Sequence, residues 1–529
     1  MNTRNAYQIR HLRRGGNSLN RAPVGLGQKK VIPLNPETVN TSELEVKPLP
    51  LETDIGSSVV CDTLPERSCR HPLTNAKQNA HLARCEESIK FRFDRIIPVL
   101  KVLSNLQHDD NFVDKANQIT NDKLGFEFPS SLLESSWVSG LDMGKLYSTG
   151  IFQGLNSSVA QFSDDLGRQV SDIQDAKSFY LDCGYHNVDI TPCSDGRLKG
   201  LGKYILRLPL SSMTVRDSHA GALLNVESNL RHWERAELKH IKKNQSLSNS
   251  NYLKILVYHR SSSDPSHQGC AAHGSNDKLA AEKGLERLND LRGAIFNTHE
   301  ALIDILLIGV DTDNDSIRIH TPDSKGNLNV HRYIDSAEFY NSTLNLSEQD
   351  ARLKIFTAID QCSDSSGWAQ GEGRPSEGMR KFIANLLEFN LSQIEYVADM
   401  YGGTYPDVGH AERYISVGDG FQEVQLRNIA YYAHLDTVEE GAADLDIGIK
   451  IFTGLNLKRG LPIPIAVHYR YDSKVPNSKE RTIEKCHRVK EAIINRYKDL
   501  AANNNIVFQL SVQDLPLGSA LEVINEEAS

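Results

Sequence analysis

The sequence predicts a multidomain protein of mixed α and β structure. We expect a helical N-terminal domain, then an α/β domain, then a degenerate second copy of that α/β domain. Three observations support this fold class. Apolar residues recur at helical spacing over residues 61–165, short apolar runs alternate with helical segments over 166–400, and residues 401–529 repeat the order of those elements. The length of 529 residues allows roughly three or four domains of ordinary size.

The composition is that of an ordinary, mildly acidic protein. Charged residues make up 24% of the chain and the net charge is −9. No apolar run approaches the ~20 residues that a membrane-spanning helix requires, and the N-terminus lacks the apolar segment of a secretory signal. We therefore expect synthesis in the cytosol, no membrane association and no reliance on disulfides.

Residues 1–60 are predicted to be a disordered basic arm. The first acidic residue is Glu37, and the segment is rich in Asn, Gly and Pro and poor in aromatic residues. A basic arm on an acidic chain suggests docking to an acidic partner. Nucleic acid is the generic candidate but has weak support, and a solvated tail is the simpler alternative. The basic residues before Glu37 are Arg4, Arg10, Arg13, Arg14, Arg21, Lys29 and Lys30.

Residues 61–165 are predicted to be a helical packing domain. One helix face carries Ile89, Phe93, Ile96, Leu100 and Leu103, at spacings of three and four. Pro98 is expected to kink this helix or to mark a break. A second helix is expected over Phe128–Leu141. We find no catalytic constellation in this domain.

Residues 166–400 are predicted to form the catalytic α/β domain. Strands alternating with helices over short connections imply parallel βαβ units with right-handed crossovers, whose ligands bind at the carboxyl ends of the strands. Asp311, Asp313 and Asp315 lack the Gly and the Glu of a calcium loop, so we interpret them as a solvated turn. The predicted strands are Tyr185–Ile190, Tyr204–Leu210, Leu253–Tyr258 and Ile303–Val310, and the helices are 227–243 and Asp277–Phe296.

The segment Thr191–Gly202, TPCSDGRLKGLG, holds the first cluster of reactive side chains. Cys193, Asp195 and Arg197 occupy alternate positions directly after a predicted strand. In an extended backbone such side chains point the same way. A thiol, a carboxylate and a guanidinium make poor core material, so we expect the three to face one small functional volume.

A second cluster supplies the remaining ligands for a metal. The strand Leu253–Tyr258 ends at His259, and Cys270 follows in a loop. Two thiolates and an imidazole suit Zn²⁺, and three protein ligands leave the fourth position for water, as in catalytic sites. Spacing alone leaves His267, three residues before Cys270, as an alternative ligand. We prefer His259 because it sits at the end of a rigid strand.

Asp195 and Arg197 have complementary roles beside such a metal. Two thiolates cancel the charge of Zn²⁺, so the site acidifies water less than three neutral imidazoles do. Asp195 can accept a hydrogen bond from the water in the fourth position and gate access to it. Arg197 can hold Asp195 ionised and off the metal through a bidentate pair.

These residues resemble the active site of β-type carbonic anhydrases. The pattern is Cys-x-Asp-x-Arg, then a strand that ends in His, then a Cys. Most β-type enzymes place that His and Cys three positions apart, whereas His259 and Cys270 are eleven apart in YHRSSSDPSHQGCAAHGS. The long form resembles the carboxysome shell carbonic anhydrase family, over residues 60–529. The resemblance also favours His259 over His267.

The resemblance implies an activity and a location. The activity is the reversible hydration of CO₂ to bicarbonate with one zinc per chain, and the location is the lumen or the inner side of a carboxysome shell. The implied partners are Rubisco, through the basic arm, and shell proteins, in a homo-oligomer that is a dimer or larger.

Two other interpretations were weighed. A zinc deaminase requires a Pro-Cys-x-x-Cys pair, and the second cysteine is missing after Pro192-Cys193. A non-enzymatic scaffold would use a structural zinc to link Rubisco to the shell. Such a site is normally closed by four protein ligands, and Asp195 could be the fourth.

Residues 401–529 are interpreted as a worn copy of the catalytic domain. Tyr414–Phe421 can be laid on Ile190–Arg197, and Ile465–Arg470 on Ile255–Arg260. A helix over Lys485–Leu500 and a strand over Ile506–Val512 follow in the same order. The Cys position is Val417, the Arg position is Phe421 and the His position is Tyr469, so we expect no second zinc.

The copy has a structural role in this interpretation. It would cover the exposed sheet edge of the catalytic domain, in an internal pseudo-dimer. His410, just before the first strand of the copy, is a candidate proton shuttle, and a surface histidine is the alternative.

Overall fold

A computed structural model describes residues 70–166, 178–209, 214–244, 250–363, 373–421, 423–435, 437–516 and 518–524. The basic arm predicted over residues 1–60 lies outside the described residues. From Arg70 onward, the helical part and both sheets belong to a single compact unit.

The first described part of the chain is helical, as its apolar spacing predicts. Its helices are Ala76–Asp94, Ile96–Leu106, Phe112–Leu124, Ser130–Glu134, Ser136–Ser139 and Met143–Leu166. The break falls at Arg95, and Pro98 lies in the first turn of the next helix, where its missing N–H leaves no hydrogen bond unmade. The single helix predicted over Phe128–Leu141 is wrong, because two short helices meet at Ser135 instead.

The apolar face of these helices packs on the second half of the molecule. Phe93, Ile96, Leu100 and Leu103 are buried, whereas Ile89 is only partly buried. The ring of Phe93 stacks on that of Tyr414 at 6.4 Å between centroids. The helical part therefore supports the C-terminal sheet.

A six-stranded sheet forms the middle of the chain, in the order β2-β1-β3-β4-β5-β6. Its first four strands in that order are parallel, and β5 and β6 are antiparallel to their neighbours. All nine residues of the central strand β3 are buried. The strands are β1 Asn187–Pro192, β2 Thr214–Arg216, β3 Tyr252–Arg260, β4 Asp304–Asp311, β5 Ile317–His320 and β6 Ile334–Asp335.

Helices connect these strands as the βαβ prediction requires. Asp277–His299 joins β3 to the parallel strand β4. The strand predicted over Tyr204–Leu210 is wrong, because Leu201–Ile205 is a buried helical turn. A short apolar run does not distinguish a buried strand from a buried turn of helix. The other helices of this part are Val226–Asn244, Ser336–Thr343, Glu348–Ser363 and Glu377–Tyr401.

The three aspartates after β4 do not form a solvated turn. Asp311, Asp313 and Asp315 are all buried. Their carboxylates accept hydrogen bonds from neighbouring loops and helices instead of from water. The interpretation from sequence is therefore wrong, because alternating acids look the same whether solvent or protein supplies the donors.

A five-stranded sheet forms the C-terminal part, in the order β11-β10-β9-β7-β8. Its strands are β7 Tyr414–Gly418, β8 Ala430–Ala433, β9 Ile463–Tyr471, β10 Ile506–Asp514 and β11 Leu521–Val523. Every pair is parallel except β10 with β11. The helices here are Val438–Leu455, Ser478–Arg496 and Lys498–Ala502.

The two sheets have a common strand order. Read from the other edge, the second sheet runs β8-β7-β9-β10-β11, and the first runs β2-β1-β3-β4-β5 with the same senses. The pairing differs by one residue from the matching made on sequence. Ile415 lies opposite Ile465, whereas Thr191 lies opposite Leu256.

Among the described residues, every helix is too short or too polar to cross a membrane.

Candidate functional site

The two clusters found in the sequence meet at the carboxyl ends of β1 and β3. Cys193 directly follows β1, His259 is the second-last residue of β3, and Cys270 lies beyond it in the connecting loop. The two sulfur atoms and a ring nitrogen of His259 all lie within 4.8 Å of one another, and all three residues are buried. Adjacent parallel strands end at the same edge of a sheet, which is why residues 77 positions apart can converge here.

The three side chains fit a zinc ion. Both ring nitrogens of His259 are buried, and neither has a hydrogen-bond partner among the described residues. A buried polar group without a partner is costly, and a metal removes that cost. Two sulfurs and one imidazole nitrogen are the donor set that Zn²⁺ prefers, with one position left over.

His267 is not part of this group. Its side chain is 78% exposed, and its Nδ1 pairs with the Asp264 carboxylate at 2.9 Å. The structure thus brings His259, and not His267, to the two cysteines.

The two thiols shift each other's pKa in opposite directions. A hydrogen bond to Cys270, together with burial, raises the pKa of the Cys193 thiol well above its ordinary value. The same hydrogen bond lowers the pKa of Cys270. One sulfur is therefore already disposed to be a thiolate, the form that binds metal.

Asp195 and Arg197 form a closely held pair beside the ligands. Arg197 Nε donates to Asp195 Oδ1 at 2.9 Å and its Nη2 donates to Oδ2 at 2.8 Å. We expected an extended backbone from Cys193 to Arg197, and this prediction is wrong beyond Asp195. There the chain turns into a short helix, Gly196–Leu198, and Asp195 caps it by accepting from the Arg197 N–H.

The Asp195 carboxylate lies against the ligand set and stays ionised. Its Oδ2 is 3.2 Å from His259 Nε2. Burial alone would raise the pKa of Asp195, but the charges of Arg197, His259 and His410 hold it well below its usual range. Asp195 can therefore act as a hydrogen-bond acceptor at neutral pH, beside the residues that would hold a metal.

Residues 407–412, which we call the C-terminal strap, cover this pair. Val408 O accepts from Arg197 Nη1 at 2.9 Å. His410 Nε2 lies 4.0 Å from Asp195 Oδ2, and its side chain is 26% exposed. Burial alone would lower the pKa of His410, but the charges of Asp195 and Glu412 raise it. The structure thus places His410 between the buried carboxylate and solvent.

Glu412 is a residue of the site that our sequence analysis missed. It is buried, and its Oε1 lies 2.9 Å from His410 Nδ1 and accepts from the Gly196 N–H at 3.2 Å. Glu412 thus ties His410 to the turn that carries Asp195. The spacing of two residues from His410 was the available signal, since alternate residues of an extended segment share a side.

A narrow cavity with apolar walls reaches the ligand group. Ala220 forms one wall, and Tyr431, Ile447 and Ile451 form the wall contributed by the C-terminal part. The cavity also touches Cys193, Asp195, His259, Cys270 and His410. Both sheets therefore contribute to one site that suits a small, weakly polar molecule.

Three family models match most of the chain. They are the N-terminal part of the carboxysome shell carbonic anhydrase at residues 71–163, its catalytic domain at 175–410 and its C-terminal part at 411–528. All the proposed ligands, with Asp195, Arg197 and His410, fall within the catalytic match.

Curated relatives match this chain along most of their own length. The carboxysome shell carbonic anhydrase of Halothiobacillus neapolitanus is 52% identical over 88% of this chain and 92% of its own. That of Prochlorococcus marinus strain MIT 9313 is 43% identical over 87% and 90%, and that of Hydrogenovibrio crunogenus is 41% identical over 82% of each. The chain therefore belongs to the carboxysome shell carbonic anhydrase family.

Proposed function

We propose that this chain catalyses the reversible hydration of CO₂ to bicarbonate with one Zn²⁺ held by Cys193, His259 and Cys270. The observation that carries the proposal is the convergence of two thiols and a buried imidazole, whose ring nitrogens make no hydrogen bond among the described residues, beside the Asp195 carboxylate. Curated relatives named carbonic anhydrases cover most of the chain, which supports the same activity here. When bound, the metal supplies a Lewis acid that generates a nucleophile from water near neutral pH.

The residues of the chain position the reactants. Asp195 accepts a hydrogen bond from the attacking water and so fixes its orientation. Arg197 uses both of its forked N–H groups to hold the Asp195 carboxylate, which keeps the charge in place and limits its movement towards the metal. The apolar cavity admits CO₂ and restricts water, which strengthens these charge interactions.

His410 is proposed to carry the proton out. It lies 4.0 Å from Asp195 Oδ2 and is partly exposed, so the ring spans from the buried site towards solvent. Histidine is the side chain best suited to exchanging protons near neutral pH. Glu412 holds the other ring nitrogen and so fixes the orientation of the ring.

The alternative is a non-enzymatic scaffold with a structural zinc. Asp195 would then close the site as a fourth ligand, and its closeness to His259 Nε2, 3.2 Å, keeps this alternative open. Both Asp195 oxygens are, however, engaged by Arg197. These hydrogen bonds to Arg197 keep Asp195 from acting as a fourth zinc ligand, which favours the enzyme over the scaffold.

We propose that the C-terminal part is a degenerate copy of the catalytic domain that binds no zinc. The common strand order of the two sheets supports duplication. The sequence matching puts Val417 and Tyr469 at the positions of Cys193 and His259. The strand pairing of the structure shifts one of the two by one residue, so that the matched pair is either Val417 with His468 or Gly418 with Tyr469. In both cases the thiol that corresponds to Cys193 is missing. The copy's function is to supply the strap and the cavity wall as an internal partner.

We propose that the protein works within the carboxysome, as the names of its relatives indicate for them. There it would lie on the inner side of the shell or in the lumen, as a homo-oligomer, and deliver CO₂ to Rubisco. Shell proteins are further proposed partners.

Residues 1–60 are proposed to dock on Rubisco through their basic side chains. Deletion of residues 1–50 is expected to abolish a salt-sensitive interaction with Rubisco, because exposed charge pairs are screened by salt. CO₂ hydration should persist. Rubisco binding unchanged by the deletion would contradict this role.

The deciding experiment measures zinc content and stopped-flow CO₂ hydration under reducing conditions, on the wild type and on Cys193→Ser. About one zinc per chain, with activity lost in the variant, is expected if the site has the proposed ligands. Zinc without hydration of CO₂ would favour the scaffold. Two zincs per chain would contradict the degenerate copy.

A further inference from the structure

The loop that carries Cys270 is anchored at its other end mainly by one buried carboxylate, that of Asp313. Residues 261–270, which we call the metal-ligand loop, leave the end of β3, and Asp313 follows the end of the neighbouring strand β4. The hydroxyl of Ser261 lies within hydrogen-bond distance of both carboxylate oxygens of Asp313, at 3.1 Å from Oδ1 and 2.9 Å from Oδ2. Asp313 Oδ2 also accepts from Ser262 Oγ at 3.4 Å and from the Ser263 N–H at 2.6 Å. Three consecutive residues of the loop thus converge on one side chain.

The charge of Asp313 is stabilised by these hydrogen-bond donors and not by a cationic side chain. Its residue is only 1% exposed, and no Lys, Arg or His within the described ranges forms an ion pair with it. A buried carboxylate is costly unless donors surround it. Burial alone would raise the pKa of Asp313, but the donors of Ser263 and Ser261 lower it. The carboxylate and the start of the loop are therefore stable only while they are docked together.

The neighbouring aspartate strengthens the same attachment. Asp311 pairs with Arg260 at 3.1 Å and accepts from the Ser262 N–H at 3.3 Å. Asp311 also accepts from the Asp313 N–H at 3.1 Å, which fixes the backbone of Asp313. The loop is thus docked on the whole end of β4.

The docked part of the loop is linked to Cys270 by short steps. Ser261 Oγ, besides donating to Asp313, accepts from the Asp264 N–H at 3.1 Å. Asp264 O then accepts from the Gln268 N–H at 2.9 Å. Gly269 is packed so closely against Pro265 O and Ser275 that a Cβ there would lie 3.2 Å or less from both. Cys270 follows directly, so its position depends on where the start of the loop is held.

We propose that Asp313 is a positioning residue that keeps the metal-ligand loop docked, so that Cys270 stays at the metal. This rests on the zinc site of the proposed function. His259 and Cys270 are eleven positions apart. A loop of this length needs contacts along its course, besides those at its two ends, to keep one conformation. Asp313 supplies such contacts through Ser261, Ser262 and Ser263, none of which is a proposed zinc ligand.

The test compares Asp313→Asn with Asp264→Asn in the full-length, zinc-loaded protein. Asp264 lies in the same loop, but its side chain is 42% exposed, and among the described residues its carboxylate is hydrogen-bonded by Ser266 and His267 alone. Zinc release to an excess of chelator is followed with a coloured indicator. Groups that orient metal ligands typically contribute about tenfold to a hundredfold in affinity, so we expect release from Asp313→Asn to be at least about tenfold faster. Asp264→Asn should release zinc at the wild-type rate.

A second measurement uses the metal-free protein and does not depend on zinc. Hydrogen exchange of the peptide covering residues 261–270 should be faster in Asp313→Asn and unchanged in Asp264→Asn, with exchange in β3 and β4 unaltered. Ser261→Ala, which removes one donor, should give an intermediate result in both assays and serves if Asp313→Asn fails to fold.

The outcomes separate this proposal from the proposed function. Equal zinc release and equal exchange in wild type and Asp313→Asn would overturn the role of Asp313 and leave the enzyme proposal intact. If the wild type binds zinc but does not hydrate CO₂, faster exchange over residues 261–270 in Asp313→Asn than in the wild type would still support the role of Asp313 while the enzyme proposal fails. A loss of exchange protection throughout the fold in Asp313→Asn and Ser261→Ala alike would mean a general structural role and would also overturn the proposal.

Discussion

Gly196 shows how closely the residues of the site are fitted together. It lies between Asp195 and Arg197, and a Cβ built on it would be 2.3 Å from Glu412 Cγ. Its N–H also donates to Glu412. Gly196 does not have a positive φ. The position therefore requires glycine because Glu412 leaves no space for a Cβ, and not because of the backbone conformation.

We predict that Gly196→Ala lowers kcat/KM for CO₂ hydration by roughly tenfold to a hundredfold, because displacing Glu412 moves both His410 and the turn that holds Asp195. Gly200→Ala is the matched control in the same segment, where the nearest atom to a Cβ lies at 3.5 Å, an ordinary contact. Stopped-flow assays of both variants check this. Equal activity in the two would contradict the close fit at Gly196.

His410 permits a test of proton transfer that is separate from metal binding. We predict that His410→Ala lowers kcat by at least roughly tenfold, while kcat/KM changes much less, because the lost step follows the conversion of CO₂. Added imidazole should restore kcat by carrying the proton. His267→Ala, which removes an exposed histidine outside the ligand group, should leave both constants unchanged. A variant of His410 with normal kcat at low buffer concentration would exclude the shuttle.

At the scale of elements, the site is formed where parallel strands end. β1 and β3 deliver Cys193 and His259, and the loops after β3 and β4 meet through Asp313. In the second sheet, β7 and β9 end at Gly418 and Tyr471, with the buried thiol of Cys486 on the helix that follows β9. The same arrangement of elements thus carries different side chains.

We predict that Cys486→Ser keeps the zinc content at about one per chain, whereas Cys193→Ser and Cys270→Ser lose the metal. Within the part of the chain that the structure describes, two sulfurs and an imidazole come together only at the first sheet. Metal analysis of the purified variants tests this. A fall in zinc content in Cys486→Ser, with thermal stability unchanged, would mean that the second sheet also binds metal.

The ligand cluster could be predicted from sequence because Cys193 directly follows one predicted strand and His259 lies at the end of another, strongly apolar one, with Cys270 in the loop that follows. Strands of this kind are recognisable locally, and parallel packing brings their ends together whatever their separation in the chain. The structure places Cys193, His259 and Cys270 within 4.8 Å of one another, as that reasoning requires.

What could not be predicted depends on partners far away in the chain. Glu412 meets Gly196 across 216 residues, and Asp313 meets Ser263 across 50. Nothing local shows that an acid after a strand will be buried, which is why the three aspartates were interpreted as solvated. The segment Tyr204–Leu210 was mistaken for a strand for a related reason, since burial alone made it apolar.

At the scale of the whole molecule, one buried carboxylate lies where the three parts of the chain meet. Asp315, just before β5, accepts from Gln393 Nε2 at 2.9 Å and from the Tyr405 hydroxyl at 2.7 Å. Gln393 Oε1 accepts in turn from Arg207, which also donates to Gln78 and Asn79 on the helix Ala76–Asp94. Arg427, from the C-terminal part, lies over the Tyr405 ring at 4.3 Å. The three parts are thus joined by a polar network with an acid at its centre.

The protonation of Asp315 should make the stability of this junction depend on pH. Burial raises the pKa of Asp315 to about 6, even though Arg427, Tyr405 and Gln393 act in the opposite direction. The folded protein therefore binds this proton more tightly than the unfolded chain, whose carboxyl has the ordinary pKa of 3.8. The resulting stabilisation, about 3 kcal/mol at most, is complete below pH 3.8 and is lost as the pH rises through about 6.

We predict that Asp315→Asn raises the melting temperature by a few degrees at pH 7.5 and gives little or no gain at pH 4. Asparagine can accept the same two hydrogen bonds, tolerates the positive φ of 60° at this position and carries no charge at any pH. Thermal unfolding of wild type and variant, followed at intervals from pH 4 to 7.5, measures the difference. Asp290→Asn, on the exposed face of the helix Asp277–His299, should show no such trend. A constant difference between wild type and Asp315→Asn across this range would mean that the junction does not titrate, and that Asp315 stays ionised in the folded protein.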